Sequence, residues 1–177
     1  EVAAIDKIRD TAEAHDRVFV IELMGRDAGY IALNSGIACG AEDILIPETE
    51  THIDELLARI EADGRRKNSV QIIVVAEGDD FGGAKEVHEA ITTRFPALDV
   101  RSCVLGHIQR GGSPSYADRV LASRMGHAAV DALVAGNTQV MVGVVNGELA
   151  YTPFDKVIKG TTPIAADLIE MIRVLSV

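Results

Sequence analysis

The 177-residue sequence is poor in the features that mark membrane and nucleic-acid-binding proteins. Aromatic residues make up only 4% of it, whereas hydrophobic residues make up 47% and charged residues 25%, a composition typical of a soluble α/β protein. No apolar run approaches the roughly 20 residues that span a bilayer, and no signal peptide is visible. Basic residues number 17 against 27 acidic ones, and the net charge of −10 repels nucleic acid and anionic membranes. We therefore expect neither as a partner.

Cysteine and the common cofactor motifs are equally scarce. Cys39 and Cys103 lie in apolar segments without CxxC spacing, so we expect buried free thiols in a cytoplasmic protein, and neither zinc nor a disulfide. The five histidines lack metal-ligand spacing. The sequence contains no GxxxxGK[ST] loop, no GxGxxG after a strand and no aspartate pair suited to magnesium. We expect this chain to bind a ligand and, by itself, not to catalyse a reaction.

Hydrophobic periodicity predicts an α/β fold with a parallel sheet sandwiched by helices, because strand and helix alternate and the strands are apolar on both faces. The predicted strands are 18–23, 43–47, 70–76 and 100–105. The predicted helices are 3–14, 30–39, 51–62, 85–95, 116–133 and 167–175. Thr51 is the expected N-cap of the third helix and Gly40 the expected C-cap of the second. Asn146-Gly147 predicts a hairpin within 139–151.

The most informative segment is Gly106–Pro114, which follows the fourth predicted strand. It holds a histidine, a glutamine and an arginine within four positions and ends in a Gly-Gly turn. Open α/β sheets bind ligands at the carboxyl ends of their strands. An arginine beside a histidine at that edge favours an oxyanion such as phosphate.

Other polar residues follow neighbouring strands and should meet this segment. Met24-Gly25-Arg26 follows the first strand and Glu77 the third, so a parallel sheet places them near His107. The glutamate can accept hydrogen bonds from sugar hydroxyls, and Gly25 would let a ligand approach the backbone. This set predicts a phosphorylated sugar as ligand. The alternatives are a solvated Glu77, a surface Arg26 and a core His107.

Four segments resemble the bacterial-type 6-phosphofructokinase family, in its order and at about its spacing. The resemblance covers essentially the whole chain but only the C-terminal half of a family member. The matching segments are Phe19–Arg26, Ile73–Gly78, Val104–Pro114 and Asp118–Arg124.

This resemblance implies a glycolytic kinase that phosphorylates fructose 6-phosphate to fructose 1,6-bisphosphate. Met24, Gly25 and Arg26 correspond to a segment that contacts fructose 6-phosphate. Glu77 corresponds to the carboxylate at the sugar hydroxyls, and His107 and Arg110 to residues at the sugar phosphate.

The resemblance also implies a site shared between subunits. Arg17 and Arg101 correspond to arginines that reach into the neighbouring subunit's substrate site, which implies a homo-oligomer, normally a tetramer. Arg17 would also help to neutralise charge on the transferred phosphoryl group.

An effector site for ADP or phosphoenolpyruvate is implied less directly, and nonallosteric relatives exist. Arg9, Gly40 and Glu42 correspond to effector contacts. Arg66 and Lys67, in the basic loop 64–68, lie near the family's Lys/Arg effector contacts, or form a solvated basic turn.

The parts that the chain lacks define its expected place in a longer protein. It opens in a helical pattern without an initiator methionine, so we expect a fragment. The nucleotide loop, the Mg²⁺-binding aspartate and the catalytic aspartate base would lie upstream, so ATP (or pyrophosphate) and Mg²⁺ are expected only in the full-length protein. Residues 1–109 and 158–177 would form the fructose 6-phosphate domain, and residues 110–157 an incomplete piece of the nucleotide domain.

Two other functions stay open from the sequence. One is a non-catalytic sensor of a sugar phosphate or a nucleotide, which the fragment by itself fits. The other is a dinucleotide-binding dehydrogenase domain, which the missing GxGxxG disfavours.

Overall fold

The computed structural model describes residues 1–12, 17–63, 70–159 and 163–175. The strands are β1 Arg17–Leu23, β2 Asp43–Leu45, β3 Gln71–Ala76, β4 Asp99–Val104, β5 Val140–Val145 and β6 Glu148–Pro153. The helices are α1 Val2–Ala12, α2 Tyr30–Cys39, α3 Ile53–Asp63, α4 Ala84–Arg94, α5 Tyr116–Val134, α6 Phe154–Lys159 and α7 Ala166–Leu175, with a 3₁₀ helix at Gly106–Arg110. The chain divides into two compact units, residues 1–111 with 164–177 and residues 112–163.

The first unit is a four-stranded sheet in the order β2-β3-β1-β4, with every neighbouring pair parallel. β3 is buried at all six positions, as expected for a strand covered on both faces. On one face, Ile21, Leu23 and Val74 pack with residues of α1, α2 and α7. On the other, Val20 and Val75 pack with residues of α3 and α4. The predicted parallel sheet sandwiched by helices is confirmed.

The chain leaves β1 and β3 toward opposite faces of the sheet. β1 continues into α2, whose Leu33 belongs to the first core, and β3 continues into α4, whose Val87 belongs to the second. Because the two strands are neighbours, their connections diverge at the carboxyl edge of the sheet. Such a change of direction is the usual place for a ligand in an open α/β sheet.

The second unit contains α5, the β5-β6 hairpin and α6. Asn146 and Gly147 both have positive φ angles, 53° and 84°, which a type I′ turn requires, so the predicted hairpin is confirmed. This unit leaves much apolar surface uncovered in the 177-residue chain, and the exposed fraction of Val134 is 84%. Further exposed apolar residues are Val130, Leu133, Val145, Tyr151, Phe154 and Ile158.

Four local predictions differ from the structure. α3 begins at Ile53, and the Thr51 hydroxyl donates to Asp79 Oδ2 at 2.9 Å, because that buried carboxylate competes for it. β2 ends at Leu45, two residues early. Cys103 is half-buried, since it lies on the edge strand β4, whereas Cys39 is buried as predicted. The 3₁₀ helix and α6 were not predicted, because both are too short for helical periodicity to register.

Candidate functional site

The loop that follows β1, residues 24–29, lies at this edge of the sheet and is tightly fitted against the start of the β3–α4 connection. Arg26 has a left-handed backbone, with φ at 53°. A Cβ added to Gly78 would lie 1.9 Å from the Arg26 carbonyl oxygen. A Cβ added to Gly25 would lie 2.2 Å from the Ala28 carbonyl oxygen, so the protein backbone already occupies the space that we expected a ligand to use.

Glu77 connects the ends of β3 and β1. Its Oε1 accepts hydrogen bonds from the backbone N–H groups of Arg26 at 2.6 Å and Gly25 at 3.2 Å. These bonds, and then the nearby positive charges of Arg110 and Arg26, lower the pKa of the Glu77 carboxyl below its ordinary value. Within the described residues Oε2 accepts no hydrogen bond, so an ionised acceptor faces the cleft beside two arginines.

Gln109 connects the ends of β4 and β1, a role that the sequence analysis missed. Its Oε1 accepts from Met24 N–H at 3.2 Å, and its Nε2 donates to the Gly106 carbonyl oxygen at 3.1 Å. Both bonds are made possible by the 3₁₀ helix, which folds the chain back after β4. The sequence signal that could have identified this role was the amide side chain of Gln109 within the segment Gly106–Pro114.

Glu48, which follows β2, is a second residue that the sequence analysis missed. Both of its carboxylate oxygens accept the backbone N–H of Gly29, at N···O distances of 2.9 and 3.0 Å. The structure therefore uses one side chain that follows each of the other three strands of the sheet to hold the loop after β1.

His107 and Arg110 lie on the 3₁₀ helix at the same edge, and both are exposed. With Met24, Arg26 and Glu77 they form what we call the edge cleft. It offers guanidinium donors, an imidazole and a carboxylate oxygen, which together suit a molecule carrying both an anionic group and hydroxyls.

Arg17 and Arg101 do not lie in the edge cleft of the same chain. Arg17 begins β1, and its seven residues place it about 20 Å from Met24 at ~3.3 Å per residue. Asp99 holds both arginines, through Arg17 Nε at 2.7 Å and Arg101 Nε at 2.8 Å. The hydrogen bond from Arg17, followed by the effects of Arg101, lowers the Asp99 pKa. Asp99 and Arg17 lie at the amino-terminal edge of the sheet, and Asp99 holds Arg101 beside them.

The candidate effector residues Arg9, Gly40 and Glu42 lie together. Arg9 donates to the carbonyl oxygens of Cys39 at 2.7 Å and Gly40 at 2.9 Å, which satisfies the C-terminus of α2. Its Nη1 lies 3.8 Å from Glu42 Oε1. Burial raises the Glu42 pKa, although the hydrogen bond from Ile72 N–H opposes this shift. Arg66 and Lys67 lie outside the described residues.

A separate groove of about 500 Å³ runs along β2 between α3 and α7, and it contains none of the predicted site residues. The described residues contain no group of three or more His, Cys, Asp or Glu side chains able to hold a metal ion. No helix in the described ranges is both long and apolar enough to cross a membrane.

Comparison with known proteins places the chain in a family. The family model described as "Phosphofructokinase" matches residues 1–133, and the chain belongs to the phosphofructokinase family. It is 47% identical over 174 residues to the ATP-dependent 6-phosphofructokinase 2 of Bacteroides thetaiotaomicron, covering 98% of this chain and 53% of that protein. It is 49% identical over 173 residues to the ATP-dependent 6-phosphofructokinase 1 of Thermus thermophilus, covering 98% of this chain and 53% of that protein.

Solved structures show the same fold. Phosphofructokinase from Saccharomyces cerevisiae superimposes with a TM-score of 0.79 and 33% identity, over 98% of this chain and 24% of that one. A pyrophosphate-dependent phosphofructokinase from Marinobacter aquaeolei superimposes with a TM-score of 0.77 over 98% of this chain and 51% of that one. At 23% sequence identity, this similarity shows the fold alone. The chain spans about half the length of the curated relatives that it matches.

Proposed function

We propose that this chain is the fructose 6-phosphate-binding part of an ATP-dependent 6-phosphofructokinase, and that the edge cleft is its substrate site. The observation that carries the proposal is the convergence of Glu77, Arg26 and Arg110 at the carboxyl ends of neighbouring parallel strands. The relatives that are 47–49% identical are named as ATP-dependent enzymes, which favours ATP over pyrophosphate as the donor.

Different side chains of the edge cleft bind different groups of the substrate. Arg110 and His107 bind the sugar phosphate, since guanidinium and imidazole donors suit its oxygens. Glu77 Oε2 accepts from a sugar hydroxyl. Five of the six backbone N–H groups in residues 24–29 already donate within the protein. Side chains therefore hold the anionic group, and the loop backbone only shapes the cleft.

A second copy of the protein completes the site. Asp99 holds Arg17 and Arg101 as a pair, away from their own chain's cleft, and we assign this pair to the cleft of the second copy. In this arrangement Arg17 offsets charge on the phosphoryl group in transfer. A homo-oligomer, normally a tetramer, is the assembly that follows.

The nucleotide, Mg²⁺ and the catalytic base are assigned to the remainder of the full-length protein. The described residues offer no metal-ligand group, so they provide no binding set for Mg²⁺. Catalysis in this class depends on positioning and charge stabilisation, and this part positions the acceptor sugar. Residues 1–109 and 158–177 form the sugar-phosphate domain in this proposal, and residues 110–157 belong to the nucleotide domain.

Allosteric control by ADP or phosphoenolpyruvate is a further part of the proposal. Arg9, Gly40 and Glu42 lie together, but Arg9 already serves the C-terminus of α2. An effector would have to replace those bonds. Arg9→Ala should abolish the effector's influence on the half-saturating sugar-phosphate concentration if the site exists.

Steady-state kinetics of the full-length protein test the assignment. Arg26→Ala and His107→Ala should each raise the half-saturating concentration of fructose 6-phosphate, while that of ATP stays unchanged. Unchanged values for the sugar phosphate would refute the substrate site. Binding of fructose 6-phosphate without any phosphoryl transfer would favour the sensor alternative.

A further inference from the structure

Backbone N–H groups in the loop after β1 bond to the ends of all three other strands of the sheet. Gly29 donates to Glu48 after β2, Gly25 and Arg26 donate to Glu77 after β3, and Met24 donates to Gln109 after β4. Of these three acceptor residues, only Gln109 comes from the segment that also carries His107 and Arg110. It therefore joins the two walls of the edge cleft.

The Gln109 amide is used at both of its polar atoms. Oε1 accepts from Met24 N–H at 3.2 Å, and Nε2 donates to the Gly106 carbonyl oxygen at 3.1 Å. Only one orientation of the amide satisfies both partners, since an N–H cannot accept and a carbonyl cannot donate. Gln109 is half-buried, so water replaces these bonds less easily than at an exposed site.

We propose that Gln109 is a positioning residue, which fixes the distance between the Met24–Arg26 wall of the cleft and the His107–Arg110 wall. This inference rests on the proposed function of the edge cleft. This side chain joins the segment that follows β4 to the loop after β1, because it accepts from the N–H of Met24, two residues before Arg26. Loss of the amide lets the two sets of phosphate- and sugar-binding groups separate, and misplacement of about 1 Å is enough to weaken binding strongly.

The test uses Gln109→Met in the full-length protein, because methionine keeps an unbranched side chain and removes both hydrogen-bonding groups. We expect the half-saturating concentration of fructose 6-phosphate to rise roughly fivefold to thirtyfold, which corresponds to one or two net hydrogen bonds. The half-saturating concentration of ATP should change by less than about twofold on the same reasoning, since the nucleotide site is elsewhere. Hydrogen exchange at the Met24 amide should become faster.

The control is Asn34→Ala, which also removes a side-chain amide that donates to a backbone carbonyl, that of Tyr30 at 2.7 Å. Asn34 is exposed on α2 and lies outside the cleft. This variant should keep both half-saturating concentrations and the Met24 exchange rate of the unmodified protein.

Gln109→Glu keeps the inference testable if the methionine variant does not fold. The ionised carboxylate accepts from Met24 N–H but repels the Gly106 carbonyl oxygen, whereas the protonated acid donates to that oxygen as the amide does. The loss of affinity, measured against the unmodified protein at each pH, should therefore shrink as the pH falls toward the pKa of the new glutamate. A loss that is the same at every pH would contradict the inference.

Other outcomes separate this inference from the proposed function. If Arg26→Ala weakens sugar-phosphate binding but Gln109→Met does not, the positioning role is wrong and the substrate site stands. If Arg26→Ala also has no effect, the substrate site itself is wrong. Equal increases in the half-saturating concentrations of both substrates would show general structural damage and would overturn the positioning role.

Discussion

Gly78→Ala should displace the loop that carries Arg26 while leaving the sheet intact. A Cβ at position 78 would lie 1.9 Å from the Arg26 carbonyl oxygen and 3.0 Å from its carbonyl carbon. An ordinary close C···O contact is about 3.3 Å, so the oxygen must retreat by roughly 1.4 Å. Both contacted atoms are backbone, so no rotamer change relieves the overlap. The loop itself must move.

The displacement acts on a strained position that Glu77 holds. Arg26 has a positive φ, and its N–H bond to Glu77 is short at 2.6 Å. Overpacking of this kind costs about 1–3 kcal/mol of folding stability. The full-length relatives are about twice as long as this chain, and at that length 1 kcal/mol shifts Tm by ~1–2 °C, so Tm should fall by roughly 1–5 °C. A shift of about 1 Å in a substrate-positioning group can cost up to ~10²-fold in activity, so the half-saturating fructose 6-phosphate concentration should rise at least tenfold.

The assay is steady-state kinetics and thermal unfolding of the full-length protein, with Glu89→Ala as the control. Glu89 is exposed on α4, in the same unit as Gly78, and within the described residues its carboxylate forms only a surface ion pair with Lys85 at 3.9 Å. Because exposed pairs of this kind contribute little, about 0–1 kcal/mol, the control should leave Tm nearly unchanged and sugar-phosphate binding unaltered. Normal sugar-phosphate binding by Gly78→Ala would refute the close fit of the two loops as the basis of the cleft.

Three further predictions concern the shared site, pH and the apolar surface of the second unit. The full-length variants Arg17→Ala and His107→Ala should each be weakly active. When the two variants are refolded together, activity should return, because in a mixed oligomer one site combines the native His107 of one subunit with the native Arg17 of the other. No recovery would contradict a shared site. The stabilisation from the lowered pKa of Glu77 is fully present above the unfolded glutamate pKa and is lost as pH falls through the folded value. Glu77→Gln should therefore flatten that part of the profile of unfolding free energy in urea, and an identical profile would argue against the two backbone bonds. The 177-residue chain should bind 8-anilinonaphthalene sulfonate strongly, because Val134 and Ile158 are exposed; weak fluorescence would show that this surface is covered.

Much of the sheet could be predicted because its strands carry their own signal. Residues 72–76 of β3 form a continuous apolar run that Glu77-Gly78 ends, and the predicted bounds of β1 and β4 lie within one residue of the observed ones. The parallel arrangement followed from helices between strands that are apolar on both faces. Elements shorter than two helical turns, such as the 3₁₀ helix and α6, lack enough residues for a period to be read.

The residue types of the edge cleft could also be predicted, but its internal support could not. Arg26, Glu77 and His107 stand out because polar side chains follow closely after predicted strands. Gln109 and Glu48 act through bonds to backbone N–H groups 85 and 19 residues away in sequence, and no local pattern records such partners. The need for glycine at positions 25 and 78 could not be predicted either. A Cβ there would contact carbonyl oxygens of the loop after β1, and the positions of those oxygens depend on how the loop folds.

Sequence by itself therefore determined the class of fold, the edge at which the polar residues gather and the family to which they belong, because periodicity and short motifs are local properties. Tertiary structure alone decided that one carboxylate, that of Asp99, holds both Arg17 and Arg101, because the register of β1 against β4 sets Arg17 beside Asp99. It also decided which oxygen of Glu77 remains free for a ligand, since hydrogen bonding across strand ends depends on distances of a few ångströms that only the packed chain sets.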